Sequence, residues 1–267
     1  MRSKRSGRIA ALSAVAITGA LLATIPATAA GDVTRDEARR WKPDIAAARD
    51  YADSRAGHVG FAVFDMLGRL HHHGGGGHAE MASTFKVMLM VAYLRQDSVD
   101  DRALNDYDKS LIRPMIRRSD NENATRIRDM LGQGPIEALT DRARMKHFEW
   151  SEIWGNCRTS ARDQAFFLRT LRRYVPDRHL DFAKRQLAHI VPSQRWGVGQ
   201  VKPDGWSLYF KGGWGSGSGA VDHQVAMLQR GNRRIGVGVL TEGNPSHEYG
   251  KETLKGVYSR LLEGLPR

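Results

Sequence analysis

The sequence predicts an α+β fold in which the two ends of the chain share one antiparallel sheet and the middle forms a helical lobe. Strand patterns occur early, between residues 59 and 73, and again late, between residues 208 and 241. Between them, over roughly 97–195, apolar residues recur at helical spacing. Because strands from both ends must meet to complete the sheet, we expect one two-lobed domain over 31–267 with a cleft between the lobes.

The first thirty residues are typical of a secretory signal peptide. A basic start from Arg2 to Arg8 precedes an apolar stretch, and Ala27-Thr28-Ala29 matches a small-x-small cleavage site. The apolar stretch of about 17 residues is short for a membrane span, and no later run is longer. We therefore expect cleavage of residues 1–30 and a secreted or extracytoplasmic protein without a stable membrane span. Cleavage removes four basic and no acidic residues, so the net charge falls from +12 to +8.

The early elements follow in order after Pro43, which suits the first position of a helix. Val59–Asp65 and Arg69–His73 predict two strands joined by a tight turn. The glycine-rich segment Gly74–Gly77 predicts a loop. Phe85–Leu94 is apolar on all sides, which predicts a buried helix.

The late elements predict the rest of the sheet. Leu208–Lys211, Val221–Leu228 and Arg234–Thr241 have strand patterns, and Arg230–Arg233 has the composition of a hairpin turn. An amphipathic pattern over 247–263 predicts a closing helix.

Composition excludes several classes of function. The apolar fraction of 41% supports a folded core, and the single cysteine, Cys157, excludes a disulfide framework and any multi-cysteine metal site. We interpret Cys157 as a buried residue. The run from His71 to His78 suggests either a divalent-metal site or a strand running into a solvated loop, and we favour the second. We expect no metal or other cofactor, and no nucleic-acid binding, because no basic-aromatic stripe is present.

Ser83-Thr84-Phe85-Lys86 pairs a nucleophile with a base. Residues three apart share a helix face, and burial disfavours a lysine ammonium, so a neutral Lys86 could take the proton of Ser83. The alternative is a serine cap with a lysine whose head reaches solvent. We expect Ser83 at the helix N-terminus, where free N–H groups stabilise negative charge.

Two further segments bring polar groups to the predicted cleft. In Ser119-Asp120-Asn121, Ser119 could relay a proton and Asn121 could bind a substrate carbonyl, although the three residues also suit a helix cap. Lys211 is predicted to end a strand before Gly212 and Gly213, where it could bind a substrate carboxylate or simply precede a turn.

These three segments, in this order, resemble the S-x-x-K, S-D-N and K-T-G motifs of class A β-lactamases and penicillin-binding proteins. Met81–Val87 resembles the nucleophile helix of class A β-lactamases in particular. The resemblance implies an α/β/α sandwich with a five-stranded antiparallel sheet and an acyl-enzyme on Ser83. It also implies a substrate-binding strand at Lys211, Gly213 and Trp214, in which Lys211 binds substrate or tunes Ser119. The N–H groups of Ser83 and Trp214 would form an oxyanion hole.

Three departures from that family bear on activity. Gly212 stands where the family has threonine, and only 33 residues separate Lys86 from Ser119. The segment 148–160 lacks the family's E-x-x-L-N pattern, so Glu149 and Glu152 are the only candidates for the base that hydrolyses the acyl-enzyme.

We expect an exported, monomeric serine hydrolase acting on a β-lactam or a related amide. The alternatives are a D-Ala-D-Ala peptidase or acyltransferase, and a deacylation-deficient protein that binds penicillin or cell-wall peptides. Trp196 and Trp214 either line the cleft or pack beneath it.

Overall fold

The computed structural model describes residues 32–215 and 220–266 and confirms the predicted α+β architecture. The predicted signal peptide lies outside the described residues. Five strands form the main sheet in the order β2-β1-β7-β6-β5, with every neighbouring pair antiparallel. Their bounds are β1 His58–Phe64, β2 Leu70–His73, β5 Ser207–Gly215, β6 Val221–Arg230 and β7 Arg233–Glu242. Both chain ends therefore contribute to one sheet, as the sequence predicts.

Ten α-helices surround this sheet in the described part of the chain. Their bounds are α1 Arg35–Arg40, α2 Ile45–Asp53, α3 Lys86–Leu94, α4 Asp106–Arg117, α5 Asn121–Leu131, α6 Gly134–Ala143, α7 Ala161–Arg169, α8 Asp177–Ala188, α9 Val198–Val201 and α10 His247–Leu261. None of these helices has the length and apolar character that a membrane span requires.

The sheet is covered on both faces, which makes the α/β/α sandwich. Helices α2 and α10 pack together on one face, and α7 packs on the other. Strand β1 is buried at six of its seven positions, as expected for a strand with helices on both sides. Helices α4, α5, α6 and α8 pack around α3, all nine residues of which are buried.

Two features of the fold differ from the sequence prediction. Strand β5 does not end at Lys211 but continues through Gly212 and Gly213 to Gly215. A short second ladder also pairs β3 Ala79–Glu80 with β4 Arg158–Thr159, and this ladder leads into the turn that carries Ser83. From the sequence alone, Gly212 and Gly213 favour a turn. In the structure, close packing on both sides of β5 leaves no room for a side chain at these two positions, so the strand continues through them.

Replacing Gly236 by alanine should lower the free energy of unfolding by about 3 kcal/mol. A methyl group there would lie 2.1 Å from the carbonyl oxygen of Ala165, so α7 could not keep its contact with β7. Urea denaturation followed by circular dichroism measures the change. Gly134→Ala is the matched control, because a methyl group at Gly134 meets nothing within 4 Å. Equal stability of the two variants would contradict this account of the sheet–helix contact.

Candidate active site

Ser83 lies in a strained turn at the start of α3. The short 3-10 helix Ala82–Phe85 runs directly into α3, so Ser83 lies at the N-terminal end of this helical segment. Ala82 has φ of 45°, a conformation that costs a non-glycine residue energy and is concentrated at functional sites. Ser83 is nearly buried, and its hydroxyl makes no hydrogen bond to another described residue. The turn therefore presents an uncommitted hydroxyl.

Strand β5 lies directly against this turn. A methyl group added at Gly213 would lie 2.9 Å from the backbone nitrogens of both Ser83 and Thr84. A methyl group at Gly212, on the opposite side of the strand, would lie 2.8 Å from the ring of Trp196. The glycine pair thus lets β5 pass between Trp196 and the Ser83 turn, which is the physical reason for the longer strand.

Lys86 is fully buried and points toward the connection between α4 and α5. Its Nζ donates to the carbonyl oxygen of Ser119 at 2.6 Å, to Oδ1 of Asn121 at 2.6 Å and to Oγ of Ser119 at 3.2 Å. No hydrogen bond joins Lys86 to Ser83 among the described residues, although the spacing predicts that they are neighbours. The reason is that a buried amine needs acceptors, and Ser119 and Asn121 supply three of them.

Lys211 is a second buried lysine that reaches the same serine. Its Nζ donates to Oγ of Ser119 at 3.0 Å and to the carbonyl oxygen of Gly212 at 2.7 Å. Ser119 Oγ therefore lies between the two amines, which come from elements more than 100 residues apart in sequence. Ser119 has φ of 59°, so this connection is strained as well.

Among the described residues, no carboxylate contacts the amine of Lys86 or of Lys211. Burial lowers the pKa of Lys86 to about 7, although the nearby Asp120 carboxylate opposes the shift. Burial and the charge of Lys86 together hold the pKa of Lys211 well below its ordinary value. Two amines that share one buried hydroxyl are difficult to protonate together, so the pair can hold and release a proton near neutral pH.

The segment Ser119-Asp120-Asn121 both caps a helix and contacts Lys86. Asp120 caps α5, since its Oδ1 accepts from the backbone N–H of Asn123 at 2.8 Å. The side chains of Ser119 and Asn121, on either side of Asp120, instead accept hydrogen bonds from Lys86. Asn121 is exposed as the first residue of α5, so its amide contacts both the lysine and the cleft.

The chain is similar in structure to solved β-lactamases, whereas no family model and no curated protein sequence matches it. A β-lactamase from Sphaerobacter thermophilus aligns with TM-score 0.72 and 20% identity, covering 83% of this chain and 97% of that chain. A β-lactamase from Xanthomonas campestris gives 0.70 and 16% identity over 82% and 96% of the two chains. A class A β-lactamase from Mycobacterium abscessus gives 0.67 and 20% identity over 80% and 98%.

The chain has the class A β-lactamase fold. This confirms the resemblance predicted from the three motifs at the level of the fold. It also explains why the motifs, which are far apart in sequence, meet at one cleft.

The two candidate glutamates pair with groups away from Lys86 and Ser83. Glu149 pairs with His78 at 2.6 Å and with Arg158 at 3.8 Å, on the small β3–β4 ladder. Glu152 accepts from the indole of Trp150 at 3.3 Å and is largely exposed. Neither contacts Lys86 or Ser83.

Trp154 occupies the space beside Lys86. Its ring centroid lies 4.9 Å from Lys86 Nζ, and its indole N–H donates to Oγ1 of Thr125 at 3.1 Å. No sequence motif singles out this residue. The absence of the E-x-x-L-N pattern indicated that a glutamate was missing, but it did not indicate which side chain lies beside Lys86.

A pair between the buried Asp222 and the exposed His247, beside Trp214, was also missed. Asp222 Oδ1 bonds Nδ1 of His247 at 2.5 Å, and burial raises the pKa of Asp222 to about 6. The His247 ring stacks on Trp214 and meets Trp196 edge-on. Trp196 is buried beneath the strand while Trp214 is partly exposed, so of the two tryptophans only Trp214 faces the cleft. The pairing joins strand β6 to α10, and no local pattern signals it.

The histidine run and Cys157 lie outside this cluster. Three histidines of the run pair with three different carboxylates: His71 with Asp65, His73 with Asp53 and His78 with Glu149. Within the described residues, no three histidine, cysteine or acidic side chains converge on a metal-binding position. Cys157 is fully buried, and burial raises the pKa of its thiol to about 11.

Proposed function

We propose that the protein is an exported serine hydrolase that forms an acyl-enzyme on Ser83 with a β-lactam or a related amide. The observation that carries the proposal is the meeting of two buried lysines on Ser119, beside the strained Ser83 turn. The class A β-lactamase fold supports the same reaction class, and the character of residues 1–30 supports export.

In the acylation step, a neutral Lys86 takes the proton of Ser83 as Oγ attacks the substrate carbonyl. The three oxygens around Lys86 suit an ammonium with three N–H groups. Loss of one proton leaves a lone pair that a serine hydroxyl can approach. Among the described residues of the free protein, the serine hydroxyl that is hydrogen-bonded to Lys86 is that of Ser119. Catalytic contacts often tighten only when substrate binds.

Ser119 completes the step as a proton relay. It donates its hydroxyl proton to the leaving nitrogen as the carbon–nitrogen bond breaks, and its Oγ takes the proton that Lys86 removed from Ser83, across the 3.2 Å contact between Lys86 and Ser119. Lys211 acts through Ser119, because it is fully buried and bonded to that hydroxyl. This favours the tuning role predicted for Lys211 over direct binding of a carboxylate. The carbonyl oxygen would receive hydrogen bonds from the N–H groups of Ser83 and Trp214, each contributing about 3 kcal/mol to the barrier reduction.

Substrate would lie between Asn121 and the edge of β5 at Gly213 and Trp214. A groove of about 690 Å³ continues from Asn121 along α5, lined by Glu122, Thr125, Arg126, Asp129 and Met130. Its mixed charges suit the amine and carboxylate groups of a peptide as well as a compact β-lactam.

A second candidate, a penicillin- or peptide-binding protein that acylates but turns over slowly, is favoured by Trp154. Hydrolysis of an acyl-enzyme needs a base for the attacking water. Among the described residues, the side chain beside Lys86 on this side is the indole of Trp154 and not a carboxylate.

Intact-mass measurement with benzylpenicillin, run beside hydrolysis assays on a chromogenic cephalosporin and a D-alanyl-D-alanine peptide, tests the proposal. We expect one covalent adduct per chain that is absent from Ser83→Ala. Rapid turnover of the cephalosporin or the peptide identifies a lactamase or a peptidase, while a persistent adduct identifies the binding protein. An adduct of equal yield in Ser83→Ala, or neither adduct nor turnover, would refute it.

The acylation rate should rise with pH around an apparent pKa near 7. Only neutral Lys86 can accept the proton, and its neutral fraction grows from about one tenth at pH 6 to about nine tenths at pH 8 for a pKa of about 7. Stopped-flow acylation by a reporter cephalosporin measures kcat/KM from pH 5 to 9. Asp222→Asn is the control for the other group that titrates nearby, and its profile should keep the same midpoint. A flat profile, or a midpoint that disappears in Asp222→Asn, would contradict the role of Lys86.

A further inference from the structure

A cavity of about 250 Å³ lies at the end of the sheet farthest from the cleft. It is enclosed by the connection after α7, by α8 and by the β6–β7 hairpin, and its lining includes Leu171, Arg172, Leu180, Lys184, Met227 and Arg234. Asp222 marks the cleft end of β6 and Gln229 marks the cavity end. Seven residues of strand separate them by about 23 Å. The cavity is therefore a separate site.

The cations of this cavity have no acidic partner among the described residues. The side chains of Arg172 and Arg234 make no hydrogen bond or ion pair within 32–215 and 220–266. Lys184 donates to the amide oxygen of Gln229 at 3.0 Å and lies 4.7 Å from the ring centroid of Tyr209, both of which are neutral. Burial and the charge of Arg172 lower the pKa of Arg234.

Neighbouring arginines add to the positive potential. Burial lowers the pKa of Arg169, and the charges of Arg234 and Arg173 lower it further, although Asp65 opposes them. That carboxylate already pairs with Arg69 at 2.7 Å. Like charges held together by the fold raise the energy of the empty site, and a bound anion relieves this repulsion.

Apolar side chains also line the cavity, which favours a ligand with a carbon skeleton over an inorganic anion. Leu171, Leu180 and Met227 line the cavity beside the basic groups. Guanidinium groups bind phosphate oxygens through two parallel hydrogen bonds, whereas the apolar side chains would bury a carbon skeleton. We propose that this cavity binds an organic phosphate, with Arg172 and Arg234 on the phosphate and the leucines and methionine on the organic group. The inference does not depend on chemistry at Ser83.

Calorimetric titration of the purified protein with phenyl phosphate tests the site. We expect saturable binding that is tighter than that of inorganic phosphate or of benzyl alcohol, and at least about tenfold weaker in Arg172→Gln/Arg234→Gln. Arg39→Gln/Arg40→Gln is the matched control, since it removes the same charge from the exposed helix α1 and should bind as the wild type does.

Three results would overturn the inference. The first is no binding by the wild type, and the second is equal affinity in Arg172→Gln/Arg234→Gln. The third is an equal loss in the Arg39→Gln/Arg40→Gln control, which would show attraction to net charge alone. Circular dichroism of each variant verifies that these substitutions leave the fold intact.

Discussion

Replacing Lys86 by methionine should lower the rate constant for acylation of Ser83 by about 1000-fold, within the range for loss of a general base. Methionine keeps an unbranched apolar side chain in the buried position but removes the amine that contacts Ser119 and Asn121. The remaining reaction would rely on binding and on the backbone N–H groups at Ser83. Time-resolved intact mass with benzylpenicillin measures the rate.

Lys202→Met is the matched control for this experiment. Lys202 is half-buried and donates to the carbonyl oxygens of Pro203 and Trp206, away from the cleft. The Lys202→Met variant should be acylated by benzylpenicillin at the rate of the unmodified protein. If Lys86→Met, verified as folded by circular dichroism, acylates within a few-fold of that rate, another base activates the nucleophile.

Replacing Trp154 by glutamate should speed hydrolysis of the acyl-enzyme by about 100-fold, the lower range for a positioned base. The indole ring lies 4.9 Å from Lys86 Nζ, so a shorter side chain at this position leaves room for water and places a carboxylate near the amine. Decay of the penicillin adduct, followed by mass after excess penicillin is removed, gives the rate.

Ile153→Glu provides the comparison. Ile153 is the adjacent residue with 66% of its surface exposed, so a carboxylate there adds the same charge without entering the site. Its adduct should decay as slowly as that of the unmodified chain. Equal acceleration in both variants would indicate a general charge effect, and no acceleration in Trp154→Glu would show that Trp154 does not limit hydrolysis.

The fold was predictable because its main signals are local. The strand patterns at both ends and the apolar run of α3 are recognisable in the sequence by themselves. The hairpin between β6 and β7 is also local, since its turn consists of the two residues Gly231 and Asn232. The extent of β5 was not predictable, since glycines favour turns locally. Only the close approach of Trp196 and the Ser83 turn explains their place in a strand.

Of the candidate site, only the residues inside the three sequence motifs were predictable. Ser83, Lys86, Ser119, Asn121 and Lys211 stand in segments whose residue types already suggest acyl transfer, and the structure brings them to one place. Trp154 and the Asp222–His247 pair depend on contacts between distant elements. Periodicity and propensity describe neighbours along the chain, so they contain no information about such contacts.

The location of the covalent adduct decides whether Ser83 is the nucleophile. Benzylpenicillin-treated protein is quenched in acid, digested with trypsin and sequenced by tandem mass spectrometry. Cleavage after Arg69 and Lys86 yields a peptide spanning 70–86, in which Ser83 is the only serine and Thr84 its only other hydroxyl residue. The account predicts the penicilloyl mass on Ser83 in this peptide. A penicilloyl mass on Thr84, on any other peptide, or on none would contradict it.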